Sequence, residues 1–375
     1  MFVKKMANKK KTAMIIGYGS RAQGWRRGLQ KHPDWDLIGI VDVNTEMLEN
    51  LPFELLGLDE DMAFISIEDA CRWGEKPDLA VICSPIYTHH SLVRETMDLG
   101  INVICEKNMA STIHQGKQMV QEAIKHPELC TAISTQYRYT TKMWTAYEFW
   151  KSKQKEEMIG KVGMIKWEDY GYRGEKRWGW RRWLENIYLE DMSVHWFDSL
   201  RFMTGLEFVY VSASTFMPRY SEWHGSSTVL ATLALAEPKY YGDRHNWIWV
   251  DFAGDWQKRG PTFSVNEFYG EKGQFKLHNQ WGVEIKHYTN PNDTRIFEEE
   301  GFLPKGDIDN LGTNYTTEMI ILEQMKRGID SGGKKQPGTN FKEAFKSFSV
   351  AMAAKESSET GKAVNPMKYW RDWLK

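Results

Sequence analysis

The alternation of short apolar runs with helical segments in the first third of the chain is the feature that most constrains the fold. Strands are predicted at residues 12–17, 36–43, 78–84, 101–105 and 130–135, and helices at 20–31, 88–99 and 112–125. Strands that are apolar along their whole length are buried on both faces, which is typical of a parallel sheet covered by helices. Right-handed crossovers between such strands predict a doubly wound domain.

Beyond residue 136 the pattern changes to successive strands. They are predicted at 161–172, 208–216, 228–236, 246–252, 262–269, 274–277 and 282–288, with a helix at 189–204 that Gly205 ends and closing helices at 315–329 and 341–360. Strands without intervening helices imply a mostly antiparallel sheet with one free face. The predicted fold class is therefore α/β, with an N-terminal Rossmann doubly wound parallel sheet and a C-terminal α+β domain built on a large, mostly antiparallel open sheet.

Composition excludes several classes of protein. The 375 residues are 41% hydrophobic and 26% charged, which excludes a disordered chain. A net charge of −1 argues against nucleic acid as the main partner, and no apolar run reaches the roughly 18 residues that a membrane helix needs. The four cysteines show no metal-ligand spacing, and Cys83 and Cys105 lie in apolar strands. We expect reduced thiols, a cytoplasmic protein and no bound metal.

A glycine-rich turn follows the first predicted strand. Residues 17–22 read GYGSRA, which fits the pattern G-x-G-x-x-[G/A] at a strand end that opens a helix. Gly17 permits the tight turn, Gly19 lets the backbone approach a pyrophosphate, and Ala22 keeps helix and strand close. Asp42 ends the second strand at the spacing expected of a carboxylate on the adenosine ribose. It would repel a 2′-phosphate, which favours NAD, while Arg21 and the lysine-rich tail leave NADP possible.

Domain boundaries follow from these patterns. We expect a basic tail at residues 1–11 and a dinucleotide-binding Rossmann domain at 12–137. A substrate and oligomerisation domain of α+β type is expected at 138–340, followed at 341–375 by a C-terminal helix that returns toward the N-terminal domain.

Three ordered motifs resemble one family. Residues 83–89 (CSPIYTH) resemble the T-P-N-x-x-H segment of the glucose–fructose oxidoreductase/inositol dehydrogenase (Gfo/Idh/MocA) family, and residues 100–107 (GINVICEK) resemble its G-K-H-V-x-x-E-K-P segment. Residues 191–198 (DMSVHWFD) resemble its D-x-x-x-H-x-x-D helix, and residues 312–364 resemble its C-terminal region. The resemblance implies the cofactor-binding set Gly17, Gly19, Ser20, Arg21, Ala22, Asp42, Ser84, Pro85, His89, Glu106 and Lys107.

The same resemblance implies a catalytic group of Lys107, Asp191 and His195. Lys107 follows the fourth predicted strand, at the carboxyl edge where such sheets bind ligands. Asp191 and His195 are four residues apart and share one face of a predicted helix. A histidine can accept an alcohol proton at neutral pH. The alternative to a catalytic role for Asp191 and His195 is a surface ion pair or a buried structural histidine. Asp198 is expected to give structural support.

The chain departs from the family pattern at three places. Asn108 replaces the proline after Lys107, so a different turn is allowed there. Ile86 stands where the family has asparagine, which removes a side-chain contact to the cofactor. Residues 185–190 (ENIYLE) replace consecutive glycines, which predicts a reshaped pocket wall and prevents transfer of a substrate from any one member.

Tryptophan and arginine are interleaved before the Asp/His motif. Trp178 and Trp183 are candidate substrate contacts, because a flat aromatic face suits the C–H face of a sugar ring. Arg138, which opens the second domain, is a third candidate. The alternative for these side chains is packing in the core or at an interface.

We expect an NAD(P)-dependent oxidoreductase that transfers a hydride from a secondary hydroxyl of a sugar, sugar derivative or cyclitol to nicotinamide. One alternative is an NAD-dependent enzyme that cleaves glycosides through transient oxidation. Another is a non-catalytic sensor of the cofactor, which needs no acid/base set. The expected partners are a small carbohydrate or cyclitol and further copies of the chain, as a homodimer or homotetramer through the C-terminal sheet, without nucleic acid or membrane.

Overall fold

The described part of the chain folds into two sheets with helices against them. The structure, a computed structural model, describes residues 9–173, 179–277, 283–287, 294–297, 311 and 315–374. The strands are β1 (Lys11–Ile16), β2 (Trp35–Val41), β3 (Ala63–Phe64), β4 (Leu79–Ile82), β5 (Asn102–Cys105), β6 (Thr131–Ile133), β7 (Val162–Tyr170), β8 (Glu207–Phe216), β9 (Thr228–Ala236), β10 (Ile248–Asp255), β11 (Phe263–Gly270), β12 (Gly273–Leu277), β13 (Val283–His287) and β14 (Thr294–Phe297). The α-helices are α1 (Ala22–Lys31), α2 (Thr45–Glu49), α3 (Phe53–Leu56), α4 (Ile67–Trp73), α5 (His89–Asp98), α6 (Ile113–Lys125), α7 (Thr141–Lys151), α8 (Lys153–Met158), α9 (Ile187–Asp191), α10 (Ser193–Thr204), α11 (Thr317–Asp330) and α12 (Phe341–Thr360).

The chain divides into two units. The first comprises Met1–Ser134 and Gly306–Glu343, and the second Thr135–Lys305 and Ala344–Lys375. This division differs from the expected boundaries, because α11 belongs to the first unit and most of α12 to the second.

Close packing between α11 and α1 explains why α11 belongs to the first unit. A Cβ at Gly24 would come within 3.0 Å of Glu318 Oε1, and a Cβ at Gly28 within 3.2 Å of Glu318 Cβ. Glycine at both positions of α1 therefore lets the two helices approach closely, although almost 300 residues separate them in sequence.

The first unit contains a parallel sheet in the order β3-β2-β1-β4-β5-β6. β4, β5 and β6 are buried at every position, as the apolar runs predict for strands covered on both faces. The strand order reverses between β1 and β4, and ligands of such sheets bind outside the carboxyl ends at this point. The predicted Rossmann sheet is confirmed, and β3 with the short helices α2 to α4 is the part that periodicity did not predict.

The second unit contains a sheet in the order β14-β13-β12-β11-β7-β10-β9-β8, antiparallel except for the β7–β10 pair. Its covered face carries Trp167, Phe252 and Phe268, which are fully buried. Phe149 of α7 and Phe197 of α10 pack against aromatic rings of this face. The predicted C-terminal α+β domain with its large, mostly antiparallel sheet is therefore confirmed.

The opposite face of this sheet is open within the second unit. Met164 on β7 and Leu230 on β9 alternate with buried neighbours and are 44% and 48% exposed. Among the helices that the structure describes, none is long and apolar enough to cross a membrane.

Candidate active site

The glycine turn after β1 adopts the geometry that its sequence predicts. Gly17 has φ +85°, and its amide donates to the Val41 carbonyl over 2.7 Å. A Cβ at Gly17 would lie 2.8 Å from the backbone nitrogen of Ser84, so the turn packs directly against the segment after β4. Only glycine combines this φ with this approach.

The space beside Gly19 fits a bound pyrophosphate. Gly19 and Ser20 are exposed, and a Cβ at Gly19 would meet no atom within 4 Å. Ala22, the first residue of α1, is fully buried, and the first turn of α1 carries no acidic side chain. The free amides of a helix N-terminus attract phosphate, and nothing negative on α1 opposes this attraction. The turn therefore fits a dinucleotide.

Asp42 braces the glycine turn. Its Oδ2 accepts a hydrogen bond from the Tyr18 amide over 2.8 Å, and its Oδ1 accepts one from the Asn44 amide over 2.9 Å. Each carboxylate oxygen retains a further lone pair, so these bonds leave room for a ribose hydroxyl. The contact of Asp42 with ribose stays a prediction.

Glu106 and Arg21 pair with each other. Glu106 Oε1 accepts hydrogen bonds from Arg21 Nε over 2.9 Å and from Trp25 Nε1 over 2.7 Å. Burial by itself would raise the pKa of Glu106, but the charge of Arg21 and these hydrogen bonds lower it. A buried carboxylate therefore ties the start of α1 to the end of β5, and the proposed cofactor role of both residues includes holding the turn in place.

His89 links the segments after β4 and β5. Its Nε2 lies 3.0 Å from the Ser84 carbonyl oxygen and its Nδ1 lies 2.9 Å from the Asn108 carbonyl oxygen. Burial lowers the pKa of His89, which favours the neutral ring. The ring braces the chain next to Lys107, which is half-buried directly beyond β5 and Glu106. The peptide bond between Lys107 and Asn108 is cis.

In the second unit, the prediction of one continuous helix at 189–204 is wrong, because the helix is interrupted at Met192. Asp191 ends α9, and His195 lies in the first turn of α10. The Ser193 hydroxyl donates to the Leu189 carbonyl over 2.6 Å, and a side chain that bonds four residues back often bends a helix. The predicted end of the helix at Gly205 is confirmed by its φ of +69°.

Asp191 and His195 each have a partner that holds them. Arg181 Nε donates to Asp191 Oδ1 over 3.1 Å, and both side chains are largely buried. The His195 ring stacks on Tyr137, with centroids 4.0 Å apart and planes 11° apart. The arrangement holds a carboxylate and an imidazole in fixed orientations, which is what proton transfer by a side chain requires.

Arg138 forms a buried ion pair with Asp198. Its Nε donates to Asp198 Oδ2 over 2.8 Å and its Nη2 donates to Asp198 Oδ1 over 2.5 Å. Ser347 Oγ also donates to Asp198 Oδ1, over 3.0 Å. Arg138 is 6% exposed and Asp198 is fully buried, so loss of either partner would leave an unpaired buried charge. This environment argues against the predicted substrate contact of Arg138 and agrees with the supporting role expected of Asp198.

The two tryptophan candidates have different outcomes. Trp178 lies outside the described residues. Trp183 is 66% exposed, with one face stacked on His224 at a centroid distance of 4.4 Å. The guanidinium of Arg182 lies 5.0 Å from the Trp183 ring centroid. An exposed, supported indole of this kind suits a sugar ring, and the substrate contact of Trp183 stays a prediction.

Sequence reasoning passed over three polar residues of the second unit: Lys142, Asp169 and Asn266. Lys142 lies in the first turn of α7 and Asp169 next to the last residue of β7. No local signal distinguishes them, because their association depends on the packing of distant segments.

The strand order, the glycine turn and the lysine beyond β5 define a dinucleotide-binding Rossmann domain. Residues 11–133 match the model of the Gfo/Idh/MocA family, described as an oxidoreductase family with an NAD-binding Rossmann fold. The resemblance inferred from the motifs is thus confirmed for these residues. The family description names an NAD-binding fold, which agrees with the NAD expected from the position of Asp42. No curated protein matches the chain in sequence.

Solved structures share the fold of nearly the whole chain. An oxidoreductase from Agrobacterium radiobacter, crystallised with NAD+, L-tartaric acid and magnesium, is 18% identical, with a TM-score of 0.76 over 96% of this chain and 99% of that one. A levoglucosan dehydrogenase complexed with NADH and L-sorbose is 15% identical, with a TM-score of 0.78 over 95% and 99%. Myo-inositol 2-dehydrogenase from Lactobacillus plantarum is 18% identical, with a TM-score of 0.71 over 95% and 99%. At these identities the likeness establishes the fold.

Proposed function

We propose that the protein is an NAD-dependent dehydrogenase that oxidises a secondary hydroxyl of a sugar, sugar derivative or cyclitol. The observation that carries this proposal is the position of Lys107, directly after β5 at the carboxyl edge of an NAD-binding sheet. Structural neighbours that act on levoglucosan and on myo-inositol support the substrate class.

The proposed mechanism assigns proton handling to side chains and hydride chemistry to the cofactor. Gly17, Gly19 and Ser20 would hold the pyrophosphate, and bound NAD+ supplies a hydride acceptor. His195 would accept the proton of the substrate hydroxyl, and the family resemblance implies that Lys107 polarises that hydroxyl or relays its proton. Asp191, held by Arg181, orients the substrate or the imidazole. Stacking on Tyr137 fixes the plane of the His195 ring and so the direction from which it takes the proton.

A spectrophotometric screen tests this proposal. The full-length protein is mixed with NAD+ or NADP+ and a panel of sugars, polyols and cyclitols, and absorbance is followed at 340 nm, where reduced nicotinamide absorbs. We expect NADH formation with at least one panel member and a preference for NAD+. Sugar release from a glycoside without net NADH would establish the glycoside-cleaving alternative. Reduction of neither cofactor by any member would favour a cofactor sensor.

We also propose that the chain assembles as a homodimer or homotetramer through the open face of the second sheet. The exposed apolar side chains Met164 and Leu230 on that face favour burial against a second copy. Light scattering after size exclusion is expected to give about two or four times the chain mass of 43.8 kDa.

A matched pair of variants tests this interface. Leu230→Asp is expected to yield monomers, because a carboxylate would have to be buried in the interface. Leu55→Asp serves as the control, since Leu55 is 58% exposed in the first unit. A monomeric wild-type protein contradicts the proposal.

A further inference from the structure

At one end of the covered face of the second sheet, the side chains are polar instead of aromatic. Along β7, Trp167 is buried under the helices, and Asp169, two residues further on the same face, is only half-buried. Tyr188 donates from its hydroxyl to Asp169 Oδ2 over 2.8 Å, and Trp196 donates from Nε1 to the Tyr188 oxygen over 3.1 Å. Trp196 and the positive charge of Arg173 also act on Asp169. A carboxylate can accept about four hydrogen bonds, so Asp169 retains acceptor capacity.

Lys142 approaches the same end of the sheet from α7. It is in the first turn of α7, is half-buried, and donates from Nζ to Asn266 Oδ1 on β11 over 2.7 Å. Burial lowers the pKa of Lys142 to about 8, against the opposing influence of Asp169, and burial raises the pKa of Asp169. Within the described residues, neither side chain forms an ion pair at 4.0 Å or less. Asn266 on β11 is paired in register with Trp167 on β7, so the Lys142 ammonium lies beside the end of β7 that carries Asp169. A gap of more than 4.0 Å separates the ammonium nitrogen from the carboxylate oxygens.

Contacts within the second unit connect this gap to His195. The Tyr137 ring stacks on His195 and lies 5.3 Å from the Trp196 ring, measured between centroids. Trp196 in turn binds Tyr188, which binds Asp169. One continuous set of side chains therefore runs from the proposed base to the charged pair, and Tyr137 and Lys142 lie only five residues apart on the chain.

We propose that Lys142 and Asp169 recognise hydroxyl groups of the substrate, an inference that rests on the proposed function and names the specificity residues of the same site. A hydroxyl both donates and accepts, whereas an ammonium only donates and a carboxylate only accepts. A hydroxyl in the gap is satisfied by both, through charge-assisted hydrogen bonds. The half-exposed Trp196 beside them offers an aromatic face to the C–H bonds of the ring. A vicinal diol on a polyol ring matches this arrangement.

Calorimetry on the NADH-bound protein tests the inference without turnover. Polyols and cyclitols are titrated into the full-length wild type, Lys142→Met and Asp169→Asn. Both substitutions nearly preserve volume, and we expect each to weaken the binding of the best ligand by about 10- to 100-fold, the value of a hydrogen bond to a charged group. Lys151→Met is the matched control, because Lys151 is exposed at the far end of the same helix and is expected to leave affinity unchanged.

Deoxy analogues distinguish recognition from a structural role. An analogue that lacks the recognised hydroxyl is expected to bind the wild type and Lys142→Met equally, since the partner of the ammonium is already missing. A lower melting temperature with unchanged affinity in both variants would overturn the inference, as would a wild type that binds no panel member. If polyols bind and both variants lose affinity, yet NAD+ is never reduced, the inference holds and the dehydrogenase proposal fails.

Discussion

Replacement of His195 by alanine is expected to lower kcat for polyol oxidation by about 100- to 10,000-fold, the usual contribution of a positioned acid or base. The variant removes the group to which we assign the hydroxyl proton. NAD+ affinity should be unchanged, because the glycine turn and its supports belong to the first unit. Stopped-flow or steady-state absorbance at 340 nm gives the rate, and calorimetry gives the affinity for NAD+.

Two further variants make the result interpretable. His195→Gln keeps a planar side chain against Tyr137, so it separates loss of the base from loss of the stack. His245→Ala, at an exposed position, should retain the wild-type rate. A wild-type rate in His195→Ala would show that another group takes the proton.

Substitutions at the two glycines of the turn are expected to fail in different ways. Gly17→Ala places a Cβ 2.8 Å from the Ser84 nitrogen at φ +85°, and should lower the free energy of unfolding by about 2 to 4 kcal/mol. Gly19→Val meets no atom within 4 Å, so its stability should be unchanged. Its side chain fills the space assigned to the pyrophosphate, and NAD+ affinity should fall by about 100-fold or more.

Thermal unfolding and calorimetry with NAD+ measure the two effects separately. Gly242→Val is the control, since a Cβ there also meets no atom within 4 Å and the position lies in the second unit. Undiminished NAD+ affinity in Gly19→Val would show that the pyrophosphate binds elsewhere.

Elements with a strong local signal could be predicted from the sequence. The strands β1, β2, β4, β5 and β6 fall inside the predicted runs or within one residue of them, since each contains a short run rich in apolar residues. The two-residue β3 has too few residues to show any period. The helix from 189 was predicted as continuous, because residues 189–195 contain no glycine or proline that would indicate a break. The structure shows a Ser193 hydroxyl bonded to the Leu189 carbonyl at the interruption.

Side-chain partners were less predictable than backbone elements. The position of Arg138 at the start of the second domain suggested a substrate contact, yet its guanidinium is bound by Asp198, 60 residues away. Lys142 and Asn266 are 124 residues apart and meet only when α7 packs on β11. Contacts of this separation leave no trace in local periodicity or spacing.

By itself, the sequence determined the alternation of strands and helices, the turn at Gly17 and the helix end at Gly205, since each depends on the conformational preferences of a few neighbouring residues. Only the tertiary structure decided which charges are paired and that α11 packs on α1 in the first unit. These features depend on burial. A charge or hydrogen-bonding group that is removed from water needs a partner, and the packing of distant segments decides which partner lies within reach.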